Sequence, residues 1–289
     1  MRSDDTISQV ILFCAQSDDN IRAVILNGSR ANKQVKKDKY QDFDLVFFVQ
    51  DINAAKSTRS WEKRLGVPVL QQCPDDMLPE NKDTPARAAY TYLMIYEDGH
   101  RIDLTLFPVS HITDHTYDSL SILWLDKDNL FNSLPPADES SYFIIPPDAR
   151  LFAETANEFW WCATNVAKGL ARNEITFAKE MTDNVIRPAF MQMLDWKIGC
   201  THGFNLTTGK AGKYLSRYLT KEEIRAISDT YSDADPENNW QALFVMLRLF
   251  GEFQKITADK MGFEINTGEA EASVRYITRI YTDMGYELS

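Results

Sequence analysis

Asp42 and Asp44 stand two positions apart at the start of an apolar run, Leu45 to Val49. On a strand, side chains at i and i+2 point to the same face. Two carboxylates are then presented together, a donor arrangement suited to hard divalent cations. Asp103 has a comparable setting in Arg101 to Phe107, where Ile102, Leu104 and Leu106 alternate away from it. If these two strands pair, their backbones lie about 4.8 Å apart, and the three carboxylates can converge on one or two cations. Three like charges so close are costly without a cation, which argues that one belongs there. Upstream, Asn27-Gly28-Ser29 ends a short apolar run. A Gly-Ser turn at a strand end offers backbone N–H groups and a hydroxyl to an anion, and Arg30 either adds a charge for a phosphate or buttresses the loop. Taken singly, Asn27-Gly28-Ser29 is only a turn, and Asp42 and Asp44 are only a solvated strand edge. Their order, with a third aspartate on a later strand, favours a site.

Other constellations carry less. His111 and His115 have the i,i+4 spacing of a helical zinc pair, but no Glu follows His111 as an H-E-x-x-H motif requires. Cys14, Cys73, Cys162 and Cys200 form no C-x-x-C pair, so free thiols in a cytoplasmic protein are the expectation.

The elements that must position the carboxylates follow from periodicity. Ile7, Val10, Ile11 and Cys14 define one face of a helix over Asp4 to Asn20. Ala23 to Leu26 and Phe43 to Val49 read as strands, separated by a lysine-rich polar loop, and Ile52 to Leu65 as a helix ended by Gly66. Pro68, Pro74, Pro79 and Pro85 argue against helix until Ala88. Tyr90 to Tyr96 and Arg101 to Pro108 form a hairpin across Glu97-Asp98-Gly99-His100, and Leu120 to Leu125 reads as a further strand. From Asp148, a candidate N-cap, a 3.6-residue period runs almost to the end, broken at Pro188, around Gly199 to Gly212 and around Asp233 to Pro236. The expected fold class is α+β. A mixed sheet flanked by helices occupies residues 1–147, and an all-α helical bundle occupies residues 148–289, with the boundary near Pro147.

The chain of 289 residues carries 42 acidic and 31 basic side chains, a formal charge of −11. That balance disfavours partners held by phosphate neutralisation along a polymer, so nucleic acid is not expected, whereas a cationic small molecule suits it. No apolar run approaches the roughly 20 residues of a membrane span, and no membrane association is expected. The oligomeric state, monomer or dimer, is left open.

Gly28-Ser29, the twelve residues from Arg30 to Gln41, Asp42-x-Asp44 with apolar flanks and the later strand aspartate resemble the signature of the DNA polymerase β-like nucleotidyltransferase superfamily. The phrases Gln41-Asp42-Phe43-Asp44, Glu97-Asp98-Gly99, Ile102-Asp103-Leu104-Thr105-Leu106, Leu125-Asp126-Lys127-Asp128 and Val166 to Glu174 are similar to aminoglycoside 6-adenylyltransferases, the streptomycin-modifying enzymes, and the likeness runs to about Tyr281. The resemblance implies transfer of AMP from ATP to a hydroxyl of streptomycin, with release of pyrophosphate. It implies Asp42, Asp44 and Asp103 as ligands of two Mg2+ ions about 3.5–4 Å apart, with Asp103 also the general base. The residues of the Gly28-Ser29-Arg30 turn are then nucleotide-binding. Lys168 and Arg172, at i and i+4 on the first long helix, and Lys213, before an aromatic stretch, are the further cations for the triphosphate; a solvated helix face is the alternative for the first two. Glu158 and Trp161 are the candidate wall for a guanidinium-bearing acceptor, although Phe159, Trp160 and Trp161 also read as core. Two alternatives remain at this level: a nucleotidyltransferase with another acceptor (antibiotic, metabolite or protein), and a nucleotide-binding module without catalysis.

Overall fold

In a computed structural model, which describes residues 2–77, 88–114, 117–131 and 133–286, the chain divides into two compact units, Met1–Ser141 and Tyr142–Ser289. The stretch before Pro147 belongs with the helices. Ile144 N–H donates to the Leu206 carbonyl at 2.9 Å and Trp196 Nε1 donates to the Ile145 carbonyl at 3.2 Å. The expected boundary near Pro147 therefore falls inside the second unit, just ahead of its first helix.

In the first unit, α1 (Asp4–Ser17) starts where Ser3 Oγ accepts from Thr6 N–H, with Asp4 and Asp5 in the turn whose partial positive charge they complement. It buries Ile7, Ile11, Cys14 and Ala15. It stops short of the expected Asn20 because Asp18 Oδ1 takes the Asn20 N–H and turns the chain into β1 (Ile21–Asn27). Next come β2 (Phe43–Val49), α2 (Ile52–Thr58), α3 (Glu62–Leu65), β3 (Leu70–Gln72), α4 (Pro74–Met77), β4 (Tyr90–Ile95), β5 (Arg101–Pro108) and β6 (Ser121–Asp126). The single helix expected over Ile52 to Leu65 is broken. Arg59 takes a left-handed conformation (φ 41°), and the following turn seats Trp61, fully buried, against Phe47 and Tyr92. Burial of the indole outweighs continuation of the helix. The proline-rich stretch, expected to hold no helix, has Pro74 at the first position of a single turn, where its missing N–H is harmless. Pro79 and Pro85 lie outside the described residues.

The strand order is β3-β4-β5-β2-β1-β6. Among the described residues only β2 and β5 pair in parallel; the other neighbours are antiparallel. β2 is central and buried on both faces. Phe43, Leu45, Phe47 and Val49 join the core beneath α1, while Val46 and Phe48 pack on the opposite side with Ala23, Ile25 and Phe131. Asp44 is the position of β2 that escapes full burial. The β4–β5 hairpin is clamped at its turn by Arg2, whose Nε donates to Asp98 Oδ2 at 2.6 Å and holds that carboxyl well below the usual carboxylate range.

The second unit contains α5 (Ala149–Ala171), α6 (Ile175–Glu180), α7 (Arg187–His202), α8 (Lys221–Ser228), α9 (Pro236–Met261) and α10 (Thr267–Asp283). Asp148 caps α5 by accepting from Leu151 N–H, and Asp235 caps α9, whose first residue is Pro236. The break expected at Pro188 is a π-helical turn over Met181–Ile186 rather than a chain reversal. A proline lacks the N–H of the normal ladder and its ring crowds the carbonyl four residues back, so a wider turn ahead of it lets α7 continue. In the core the Phe159 and Phe250 rings stack at 3.6 Å, and Trp160 Nε1 donates to Gln254 Oε1 at 3.0 Å. Phe159 and Trp160 are thus core residues. Trp161, one position on, is 71% exposed.

Candidate active site

A polar row crosses one end of the sheet. Asn27 pairs with Asp44 across β1 and β2, Asp44 with Asp103 across β2 and β5, and Asn27 with Ser121 of β6, whose hydroxyl donates to Asn27 Oδ1 at 2.7 Å. Residues in register on neighbouring strands face the same side. The ladder itself therefore sets the two carboxylates side by side, with Asp42 two residues before Asp44 on that face. The pairing expected between the Asp42 and Asp103 strands is present, and it is parallel.

Gly28 follows Asn27 with φ +74°, and any Cβ there would collide with Asp44 Oδ2. Both facts require glycine. Its N–H is not a free anion donor, because it donates to the Leu120 carbonyl at 3.0 Å; Gly28 acts through the space it leaves. Ser29 gives its carbonyl to Asn32 N–H and to Gln41 Nε2. Arg30 is the buttress. Its side chain is 6% exposed, with Nη1 on Asp4 Oδ2 at 2.6 Å, Nε on the Asp42 carbonyl at 2.9 Å and Nη2 on the Gln41 carbonyl at 2.7 Å. The guanidinium also lies 3.8 Å over the Phe43 ring. So occupied, Arg30 is not available to grip a phosphate, which corrects its placing among nucleotide-binding residues.

Burial pushes the Asp44 carboxyl up to about 6, helped by the charges of Asp103 and Asp42 and opposed by Arg101 and Arg30. Burial likewise raises Asp42, with Arg101 pulling the other way. Arg101, which composition and spacing did not single out, is the main counter-charge. Its Nε donates to Asp103 Oδ1 at 2.8 Å and its Nη2 to Asp103 Oδ2 at 2.7 Å, and Nε lies 3.5 Å from Asp42 Oδ2. The signal was in the sequence, since Arg101 is two residues before Asp103 and so on the same strand face.

The donor set fits a divalent cation. It consists of oxygen ligands, one of them desolvated and crowded by two like charges that a cation would relieve. The side chains as they stand do not converge. Among the described residues no group of three or more His, Cys, Asp or Glu side chains is arranged to hold a metal ion. The expected convergence of three carboxylates is corrected to a juxtaposition in which Asp103 and Asp42 are turned onto Arg101. As for the histidines, His111 lies in a 3-10 stretch, Val109–Asp114, with its Nδ1 3.0 Å from Ser110 Oγ, and His115 lies outside the described residues.

In the second unit, a cavity of about 540 Å³ opens between α5 and α10, lined by Asn157, Trp161, Asn165 and Lys168 from one helix and Glu269 and Tyr276 from the other. It brings Trp161 and Lys168 together. Glu158 is on the exposed side of α5, where Cys162 Sγ donates to its Oε1 at 3.4 Å, and it is not among the described residues lining that cavity. Arg172 ends α5 with Nη1 4.0 Å from Glu174. Lys213 is exposed, its Nζ 5.0 Å over the Tyr214 ring. Glu269 and Tyr276 had no sequence signal, since nothing in their spacing tells which helix α10 packs against.

Carboxylates on adjacent central strands, backed by a Gly-Ser turn, are the arrangement of a nucleotidyltransferase, and comparison with known proteins agrees. A family model described as streptomycin adenylyltransferase matches residues 1–280. An aminoglycoside 6-adenylyltransferase of Bacillus subtilis (strain 168) is 33% identical over 283 residues, covering 97% of this chain and 99% of the relative. One from Campylobacter jejuni is 33% identical over 289 residues, covering 99% of each. A crystal structure of an aminoglycoside 6-adenyltransferase from Bacillus subtilis aligns over 97% of this chain and 99% of its own, at 31% identity and a TM-score of 0.48. The chain belongs to the streptomycin adenylyltransferase family and is a nucleotidyltransferase.

Proposed function

We propose that this protein transfers AMP from ATP to the 6-hydroxyl of streptomycin and releases pyrophosphate, a reaction that would inactivate the antibiotic. The observation that carries the reading is the in-register pair Asp44 and Asp103, with Asp42 beside them and Gly28 pressed against Asp44. In the reaction the acceptor oxygen forms a bond to the α-phosphorus, the bond from that phosphorus to the bridging oxygen breaks, and pyrophosphate carries the electron pair away. Asp103 takes the proton from the acceptor hydroxyl. Asp42, Asp44 and Asp103 would hold two Mg2+ ions, which supply charge neutralisation at the phosphates and acidify the attacking hydroxyl.

The other roles come from this chain's own side chains. Ser29 orients the phosphates from the turn; Lys168, Arg172 and Lys213 are assigned to the triphosphate, where several cations are needed. Trp161 offers an aromatic face to a guanidinium of the acceptor, with Glu158 as the weaker partner. Among the described residues no helix is long and apolar enough to cross a membrane. A cytoplasmic location, where ATP is at hand, belongs to the same reading, and no nucleic-acid partner is assigned.

Incubation of the protein with ATP, Mg2+ and a panel of aminoglycosides, read by mass spectrometry, tests the reading. A gain of one AMP on streptomycin is expected. A gain on a different compound moves the acceptor, and ATP binding with no adduct on any compound removes the activity.

A further inference from the structure

Two guanidinium groups flank the carboxylates, and they are held very differently. Arg30 is buried, with three hydrogen bonds, two of them to backbone carbonyls. Arg101 has a side chain 42% exposed, and its partners are the carboxylates themselves, Asp103 through both oxygens and Asp42 at 3.5 Å. A guanidinium offers donors only, so each carboxylate lone pair it engages is withheld from a cation. Removing it would leave Asp42, Asp44 and Asp103 together without their nearest counter-charge.

We propose that Arg101 is a positioning residue, an internal counter-ion that holds Asp103 and Asp42 in the metal-free protein and releases them to a divalent cation. The proposal rests on the reading of Asp42, Asp44 and Asp103 as the metal-holding group. It accounts for two observations together: the donor oxygens are present in one place, yet no ready-made metal cluster exists among the described residues. A half-exposed arginine can leave towards solvent without unmaking any backbone contact, whereas Arg30 cannot. The proposal separates Arg101 from a permanent structural brace, because a brace and a competitor change metal affinity in opposite directions. Loss of a brace would misorient Asp103 and weaken the cation's hold. Loss of a competitor strengthens it.

Calorimetric titration of Mn2+ into the wild-type protein and into Arg101→Gln, Arg101→Lys and Asp44→Asn tests this, with circular dichroism and thermal melting on each. Arg101→Gln is expected to bind Mn2+ about tenfold tighter, since a unit charge a few ångströms from the site is removed from a half-solvated setting. Arg101→Lys is expected to fall between, because it keeps the charge and loses the two-pronged grip. Metal-free Arg101→Gln should melt lower than wild type and gain more from added Mn2+. Mn2+ affinity in Arg101→Gln equal to or weaker than wild type overturns the proposal; if that variant does not fold, the same result in Arg101→Lys overturns it. Wild-type binding that Asp44→Asn abolishes, without tightening in the Arg101 variants, defeats the proposal and leaves the metal site standing. No Asp44-dependent binding at all defeats both.

Discussion

The polar row of the sheet and the exposed stripe of α5 both gather side chains proposed for the reaction, but by different means. Between β2 and β5 the hydrogen-bonded ladder sets Asp44 opposite Asp103 to within one residue, because a slip of one would turn either carboxylate to the other face of the sheet. Along α5 the same kind of residue is placed only to within a face. Glu158 and Trp161 are three apart, yet the cavity against α10 takes the tryptophan and not the glutamate. A strand pair specifies partners, whereas a helix surface awaits whatever packs on it. That difference leaves Gly28, Asp44 and Asp103 fixed by register and close contact, and α5 divided between a buried face that includes Phe152, Phe159 and Trp160 and an exposed one that includes Glu158 and Trp161.

The contrast can be broken or sharpened by substitution. The largest effect is expected in the helical core: Phe250→Ala, which removes the ring stacked on Phe159, should destabilise the second unit by roughly 3–5 kcal/mol, measured by denaturant unfolding. Gly28→Ala should lower kcat/KM about 100-fold while the protein stays folded, because it combines a left-handed backbone with displacement of the Asp44 carboxylate. Activity within a few-fold of wild type would show that Asp44 need not stand where it does. Asp44→Asn should stabilise the metal-free protein at pH 7.5 by roughly 1–3 kcal/mol. The sign follows from the raised Asp44 carboxyl, at about 6 against 3.8 when unperturbed. The folded state binds this proton more tightly than the unfolded, so the wild-type disadvantage grows as pH rises through that window and is absent below about pH 4. Melting curves of the two proteins at pH 4 and pH 7.5 should therefore converge at the lower pH. The smallest effect belongs to α5: Trp161→Ala should raise KM for streptomycin about three- to tenfold with KM for ATP unchanged, while Glu158→Gln should shift it less than about twofold. Equal effects would put Glu158 on a par with Trp161 in the acceptor wall.

The legible features were those with a short physical period. The i,i+2 aspartates, the alternation around Asp103, the glycine turn, the cap at Asp148 and the break around Asp233 to Pro236 each carry their geometry within a few residues, and five strands of the sheet followed from such signals. The edge strand Leu70–Gln72 was not foreseen, because it is short and its side chains are half-buried or exposed, so it has no apolar signature. The break of the helix at Arg59 was equally silent, since it is driven by the burial of Trp61 against Phe47 and Tyr92, which are distant in sequence. In the site, the aspartates announced themselves through like-charge spacing. The locking of Arg30 depended on Asp4 and Phe43 meeting it in three dimensions. Arg101 carried a signal two residues before Asp103 on the same strand face, and the register that sets Asp103 beside Asp44 gave that signal its meaning.

The central claim is that catalysis resides in the carboxylates on β2 and β5. Measuring AMP transfer to streptomycin by Asp103→Asn, in a sample shown to be folded and supplied with ATP and Mg2+, tests it most directly. The account predicts a loss of at least about 1,000-fold relative to wild type; turnover within about tenfold of wild type would contradict it.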